Sequence, residues 1–388
     1  MNVVALSNSA LTESQGTGYV VVNYARALSA LGHEVRIFGP ETFELWPTVR
    51  RARRWRIAVG MALHALRNRL HRGAGVILVH GAESWLVIVL LRVARTESLL
   101  VHQSNGLETL HQSNLERHAG RDTLSGRRRR WYQPRAQRLL ALSFTRVDGL
   151  VLVSKAEYRY AAAAAYQTSE RLLVIENPLP QSFLGQPLRA PRPRVIGWCG
   201  AWLWTKGTNL LVEAANELLS RHTDVVLQIA GVGDAEVRPE FHPELRARIV
   251  VAPFIAKSEL RAWYESVSIL LMTSYSESFG LVAAEAMACG CAVVSTPTGF
   301  ATDLRDGEEA IVASDFSALT LVEGADRLLE DDDLRQRVAA AGHRRVQELR
   351  WDDAARRMDA FLEHLREAPS RSGMQRPDPA CGDRHAKP

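Results

Sequence analysis

Cysteine is scarce in this sequence, with four residues in 388. None of them (Cys199, Cys289, Cys291, Cys381) sits in a C-x-x-C pair or at ligand spacing from a histidine. That pattern excludes the common zinc and dithiol redox motifs, and leaves reduced, mostly buried thiols of a cytosolic protein as the expectation. Long apolar runs are missing as well: residues 85–91 fall far short of the roughly 18 that a membrane span needs. The first residues lack a basic start and a long apolar core, so they read as a strand and not as a signal peptide. Gly16 and Gly18 form a G-x-G without the third glycine of the dinucleotide fingerprint. No acidic residue ends the strand that follows, and a nicotinamide cofactor is excluded on that ground. There are no internal repeats and no recognised nucleic-acid motif.

What is present fits a protein of two α/β halves. The length allows two domains with cores of their own, and a hydrophobic content of 46% is that of an ordinary globular protein. Residues 1–185 hold 24 Lys and Arg against 13 Asp and Glu, while the remainder holds 24 against 30. The first half is therefore the one expected to meet an anionic partner. Short apolar runs at 2–6, 33–38, 76–79, 99–102, 150–154 and 174–177 alternate with helical stretches, as in a doubly wound parallel domain. A proline-rich stretch, 186–193, opens a second such series with strands at 195–200, 225–230, 249–254, 267–272 and 292–295. Helices are expected from Leu319 and Leu334, and a last one over 351–365. The expected division is 1–185, 186–350, a final helix within 351–368 and a polar tail over 369–388 that reads as disordered.

The stretch with most chemistry runs from Tyr275 to Gly290. A buried strand leads into it, and a small-residue helix, 281–288, follows Gly280 and is stopped by Gly290. The free amides of such a helix start suit a phosphate or sugar oxygens. Glu277 and Glu285 flank the loop, and a carboxylate accepts hydrogen bonds from two hydroxyls at once. Acids are common at helix starts in any case, so the pair alone is a weak signal. The whole phrase from Glu277 through Phe279, Gly280, Leu281 and Glu285 to Gly290 resembles the signature of the retaining glycosyltransferases of family 4. Other segments are similar to that family too. The loop at Gly16 matches the one that faces the donor diphosphate, with Thr17 and Gly18 beside it and Gln15 where relatives have a further glycine. Lys206 matches the second cation of a G-R-x-x-x-x-K-G phrase whose arginine is Ala201 here. Asn105 stands where relatives carry a histidine that reaches the transferred sugar, with His102 three residues earlier. His80 closes the preceding strand.

The resemblance covers roughly residues 1–365. It implies a GT-B fold, two Rossmann-like domains facing across a cleft, with the donor on the second domain and the acceptor on the first. It implies that Gly16, Lys206, Phe254, Phe279, Gly280, Leu281 and Glu285 hold a nucleoside-diphosphate sugar, with Phe254 near the base and Glu285 on the ribose. Glu277, with His102 or Asn105, would hold the transferred hexose. The leaving diphosphate would be stabilised by Lys206, the glycine loops and the helix start, without a bound divalent metal. The implied function is hexosyl transfer with retention to a glycan or lipid-linked hydroxyl acceptor, in cell-envelope or exopolysaccharide synthesis. A small soluble acceptor, a sugar-nucleotide epimerase and a catalytically weak partner subunit are the competing readings. Arg50, Arg51, Arg53, Arg54 and Arg56 around Trp55, and Arg127, Arg128, Arg129 and Arg130 before Trp131 and Tyr132, read as contacts to an anionic membrane surface at the cytoplasmic face, or else as solvated cationic faces.

Overall fold

The computed structural model describes residues 1–12, 16–49, 51–118, 134–188, 192–253 and 255–368. Phe254, Arg50, the cluster at Arg127 to Arg130 and the 369–388 tail lie outside them.

Two parallel six-stranded sheets form the frame. The first contains β1 (Asn2–Ser7), β2 (Glu34–Phe38), β3 (Val76–His80), β4 (Leu99–Gln103), β5 (Gly149–Leu152) and β6 (Leu172–Val174), in the order β2-β1-β3-β4-β5-β6. The second contains β7 (Val195–Cys199), β8 (Val226–Ala230), β9 (Ile249–Ala252), β10 (Ile269–Met272), β11 (Ala292–Ser295) and β12 (Ile311–Val312), in the order β12-β11-β10-β7-β8-β9. Central strands read as unbroken apolar runs because helices cover both faces: every residue of β3, β5, β10 and β11 is buried. In both sheets the order reverses beside the strand that comes first in sequence, β1 or β7. Open parallel sheets bind ligands outside the carboxyl ends of strands at that switch point.

Several strand ends shift from expectation by one to three residues, β6 and β9 among them. β6 lies two to three residues earlier than the apolar run at 174–177: the Ile175 N–H still donates to the Leu152 carbonyl at 2.8 Å, and the strand pairing ends there, short of Pro178. β9 stops at Ala252, before Pro253, which has no amide to donate to a ladder.

The helix Trp351–Glu367 returns to the first sheet. Its Ala354, Met358, Phe361, Leu362 and Leu365 share a core with Val3, Ala5, Leu78, Val101 and Val151. Trp351 sets its indole edge-on to Tyr24, with ring centroids 5.3 Å apart, and to Tyr19 at 5.9 Å. His33 meets Asp359 at 2.9 Å on the same face. Nearer the chain crossing, Leu179 N–H donates to the Leu349 carbonyl at 2.9 Å, and Arg345 pairs with Glu176 at 2.5 Å.

Candidate donor site between two strand ends

The turn after β7 is tied to the loop after β10 by a short series of hydrogen bonds. Lys206 N–H donates to the Leu203 carbonyl and Gly207 N–H to that of Trp204, which closes a tight turn over Trp204–Lys206. Thr273 Oγ donates to the Lys206 carbonyl at 2.8 Å and accepts from the Trp198 indole at 3.1 Å. Tyr275 N–H donates to Thr205 O at 3.1 Å, and the Tyr275 ring stacks on Trp204 at 5.3 Å. Gly207 has φ +66°, and a Cβ there would stand 1.8 Å from the Thr273 carbonyl oxygen. Only glycine lets the two chains approach so closely.

This stitching places Lys206 Nζ 2.7 Å from Glu277 Oε1, across 71 residues of sequence. Ser274 Oγ donates to the same carboxylate at 2.6 Å, and Glu277 N–H donates to Thr298 Oγ at 2.8 Å. Gly280, at φ +94°, then starts the helix Leu281–Ala288, whose first intrahelical donor is Ala283. The amides before it face outward from the helix start, where the dipole favours an anion. Phe279 contributes backbone only: its ring is buried against Phe300, with centroids 4.8 Å apart. One turn into the helix, Glu285 accepts from Tyr264 OH at 3.1 Å. Burial, with the Glu285 charge adding, raises the Cys199 thiol to about 12 and raises Tyr264. Burial and then Glu285 also raise Tyr19 of the first-half helix Gly16–Ala30, so the two halves meet here within Coulomb reach. Gly16 opens that helix at φ +71°, with open space where a Cβ would stand. Ala201 is exposed and offers no second cation.

Lys206, Glu277, Gly280, Leu281 and Glu285 thus come together, with Gly16 on the facing helix. His102 and Asn105 are placed differently. His102 is 1% exposed, with its ring edge-on to Phe144 at 4.8 Å, inside the first half. Asn105 turns its amide to His80 Nδ1 at 3.3 Å. What crosses toward Glu277 is Gly106, where a Cβ would stand 2.4 Å from Ser278 Oγ. Thr298, Ser274 and Tyr264 were not singled out in the sequence. The one hint was the polar stretch that follows β11, with Thr296 and Thr298.

Residues 14–182 match the family model described as Glycosyltransferase Family 4, and residues 193–331 match the one described as Glycosyl transferases group 1. The chain belongs to glycosyltransferase family 4. Among curated proteins, a D-inositol 3-phosphate glycosyltransferase of Xylanimonas cellulosilytica is 32% identical over 199 residues, covering 48% of this chain and 46% of that one. The match thus spans about half the length of such relatives. Among solved structures, a sucrose-phosphate synthase from Thermosynechococcus elongatus superposes with TM-score 0.76 at 18% identity, covering 94% of this chain and 99% of the other. Anabaena HepE in complex with UDP and glucose gives 0.67 at 15%, with 94% and 100% covered. These likenesses show the GT-B fold of family 4 glycosyltransferases, which use nucleotide-sugar donors.

Titration of the first half bears on stability. Burial lowers His80 and His102 to about 3 and raises Glu157 to about 7. Glu108 is raised too, by burial and by Glu83. The histidines stay neutral, so their contribution is present above pH 6.5 and lost as pH falls from there toward 3. The carboxyl groups hold their protons, so their contribution is present below their usual range and lost as pH rises through about 7. The two pairs oppose each other between those limits. Melting temperature is expected to plateau from about pH 4.5 to 6.5 and to fall on both sides. A steady rise through pH 8 in a thermal scan would contradict this assignment.

Proposed function

We propose that this family 4 member is a retaining glycosyltransferase that moves a hexose-type sugar from a nucleoside-diphosphate sugar to a hydroxyl acceptor. The observation that carries the reading is the Lys206–Glu277 pair, 2.7 Å apart beside the start of the helix Leu281–Ala288. The ammonium and the helix amides meet the charge that grows on the leaving diphosphate. Glu277, tied to Ser274 and Lys206, presents its remaining acceptor capacity to the hexose hydroxyls. Glu285 serves the ribose, and Gly16 admits the diphosphate from the facing helix. A resident divalent metal has no part in this scheme, so turnover in EDTA should equal turnover in magnesium.

The HepE complex with UDP and glucose makes UDP the first nucleotide to try, and the relatives' name makes an inositol phosphate the first small acceptor. Glycan or lipid-linked acceptors of envelope or exopolysaccharide synthesis come next. The experiment is thermal stabilisation by UDP, GDP, ADP and TDP, followed by donor turnover with the stabilising base. A ligand held by the native state at 100 times its Kd adds about 2.7 kcal/mol. No shift with any of the four at millimolar level would favour the weak-subunit reading.

The membrane reading rests on one corner of the first half. Arg56 is buried and bonds Glu44 and the carbonyls of Leu45, Trp46 and Arg51, while Arg53 and Arg54 pair with Glu44 and Glu83. The cluster is therefore not a free cationic stripe throughout. Trp46, 70% exposed, with Val49, Trp55 and Arg51, stands out beside it. Among the described residues no helix is long and apolar enough to cross a membrane. A surface contact at the cytoplasmic face of the bilayer predicts salt-sensitive flotation with anionic vesicles. Absence of binding at low salt would remove it.

A further inference from the structure

The helix Lys155–Ala163 starts where the two halves meet, and its first turn holds both. Glu157, 1% exposed, accepts three hydrogen bonds from outside its helix. Its Oε1 takes Ser104 Oγ at 3.1 Å and Leu107 N–H at 2.9 Å, and its Oε2 takes Val153 N–H at 3.1 Å. Ser104 Oγ in turn accepts Gly106 N–H at 3.0 Å. The short loop from Ser104 to Leu107 is thus hung from one carboxyl group. Its tip, Gly106, has φ +136° and lies against Ser278, the residue after Glu277. On the other side of the same helix start, Lys155 N–H donates to Asp303 Oδ2 at 2.8 Å. Asp303 ends the turn Gly299–Asp303, which begins just after Thr298, the residue that receives Glu277 N–H. The contacts form a closed circuit: Glu277, Thr298, Asp303, the helix start, Glu157, the 104–107 loop, Ser278 and back to Glu277.

None of the partners of Glu157 just named carries a charge. Enclosing a carboxyl group without a cation is costly, as its raised titration range shows. A position needed only for packing is served better by an apolar residue. Three donors converging on one side chain order the loop instead, and that loop is the part of the first half that meets the donor loop.

We propose that Glu157 is a positioning residue for the transfer reaction: it sets the 104–107 loop against the Glu277 loop and, with Asp303, transmits donor-side closure to the acceptor side. The proposal rests on the glycosyltransferase reading above. It assigns no proton transfer to Glu157, which acts through Ser104 and Leu107.

The test compares wild type with Glu157→Gln, Asp303→Asn and the double variant. Glu157→Gln keeps the size but turns one acceptor into a donor facing an N–H. Misplacement of a loop by about an ångström costs up to ~100-fold in rate, so kcat should fall ~10- to 100-fold and acceptor KM should rise. Nucleoside diphosphate affinity should stay within about twofold, because the donor half is untouched. Asp303→Asn should give a smaller loss of the same kind, and the double variant should be no worse than Glu157→Gln, as members of one circuit are not additive. A lowered melting temperature with kcat per folded molecule and acceptor KM unchanged would overturn the proposal. If Glu157→Gln does not fold, Asp303→Asn decides alone, and wild-type kinetics there would overturn it. A separate readout covers a wild type that turns over no donor, which is a failure of the functional reading and not of this one. Hydrogen exchange at the amides of Gly106 and Leu107 should slow when UDP binds wild type and stay fast in Asp303→Asn. Equal slowing in both would overturn the coupling.

Discussion

Lys206→Ala is expected to lower kcat/KM for sugar transfer by about 10²- to 10³-fold, the usual loss when one preorganised donor to a developing anion is removed. The size follows from the exposed Ala201, which leaves Lys206 as the cation that its turn brings to the donor loop. The variant also frees Glu277, whose charge then faces the leaving diphosphate without its 2.7 Å partner. Two opposing charges are lost from balance by one truncation. Stability should barely move, because Lys206 is a third exposed and pairs of that kind contribute about 0–1 kcal/mol. The variant should therefore melt like wild type yet lose its stabilisation by nucleotide. Lys206→Arg, which keeps the charge on a bulkier head, should recover part of the rate. Retention of activity within tenfold by Lys206→Ala would mean that the helix start Leu281–Ala288 and the Gly16 helix hold the diphosphate by themselves.

Gly207→Ala should be the most damaging single methyl group in the second half. An alanine at φ +66° costs about 1–2 kcal/mol for its backbone alone. Its Cβ would stand 1.8 Å from the Thr273 carbonyl oxygen, an overlap that the end of β10 must relieve by moving. Overpacking of that sort adds about 1–3 kcal/mol. For a half of this size the sum corresponds to a melting temperature lower by roughly 5–15 °C. Movement at Thr273 also breaks its bonds to Lys206 O and the Trp198 indole, so nucleotide affinity should fall with stability. A scan within about 2 °C of wild type would show that the turn is not pinned to β10.

Much of the fold was legible because parallel strands enclosed on both faces are apolar throughout. The helix over residues 281–288 was legible to the residue, set between two glycines at φ +94° and +80°. β12 was missed: it is two residues long, and its pairing with Val294 and Ser295 leaves no periodicity to read. The site divided in the same way. Glu277, Gly280, Leu281 and Glu285 lie on one strand-loop-helix unit and declare themselves as a phrase. The pairing of Glu277 with Lys206, and the roles of Thr298, Asp303 and Glu157, depend on which strand ends are neighbours, which only the sheet order reveals. His102 shows what sequence position alone leaves open. A histidine at a strand end looks available, but alternate residues of β4 face opposite sides, and this one faces Phe144.

The return of the helix Trp351–Glu367 to the first sheet makes that sheet's core discontinuous in sequence: it draws on residues that come before and after the second sheet. Anyone exchanging halves with a relative, to recombine one protein's donor preference with another's acceptor preference, must cut twice. A single junction near residue 186 would leave that core with a foreign helix over Val3, Leu78 and Tyr24, and the mismatch would be read as a failed pairing of specificities. Junctions on either side of the second sheet, in the segments around residues 186 and 350, keep each core whole.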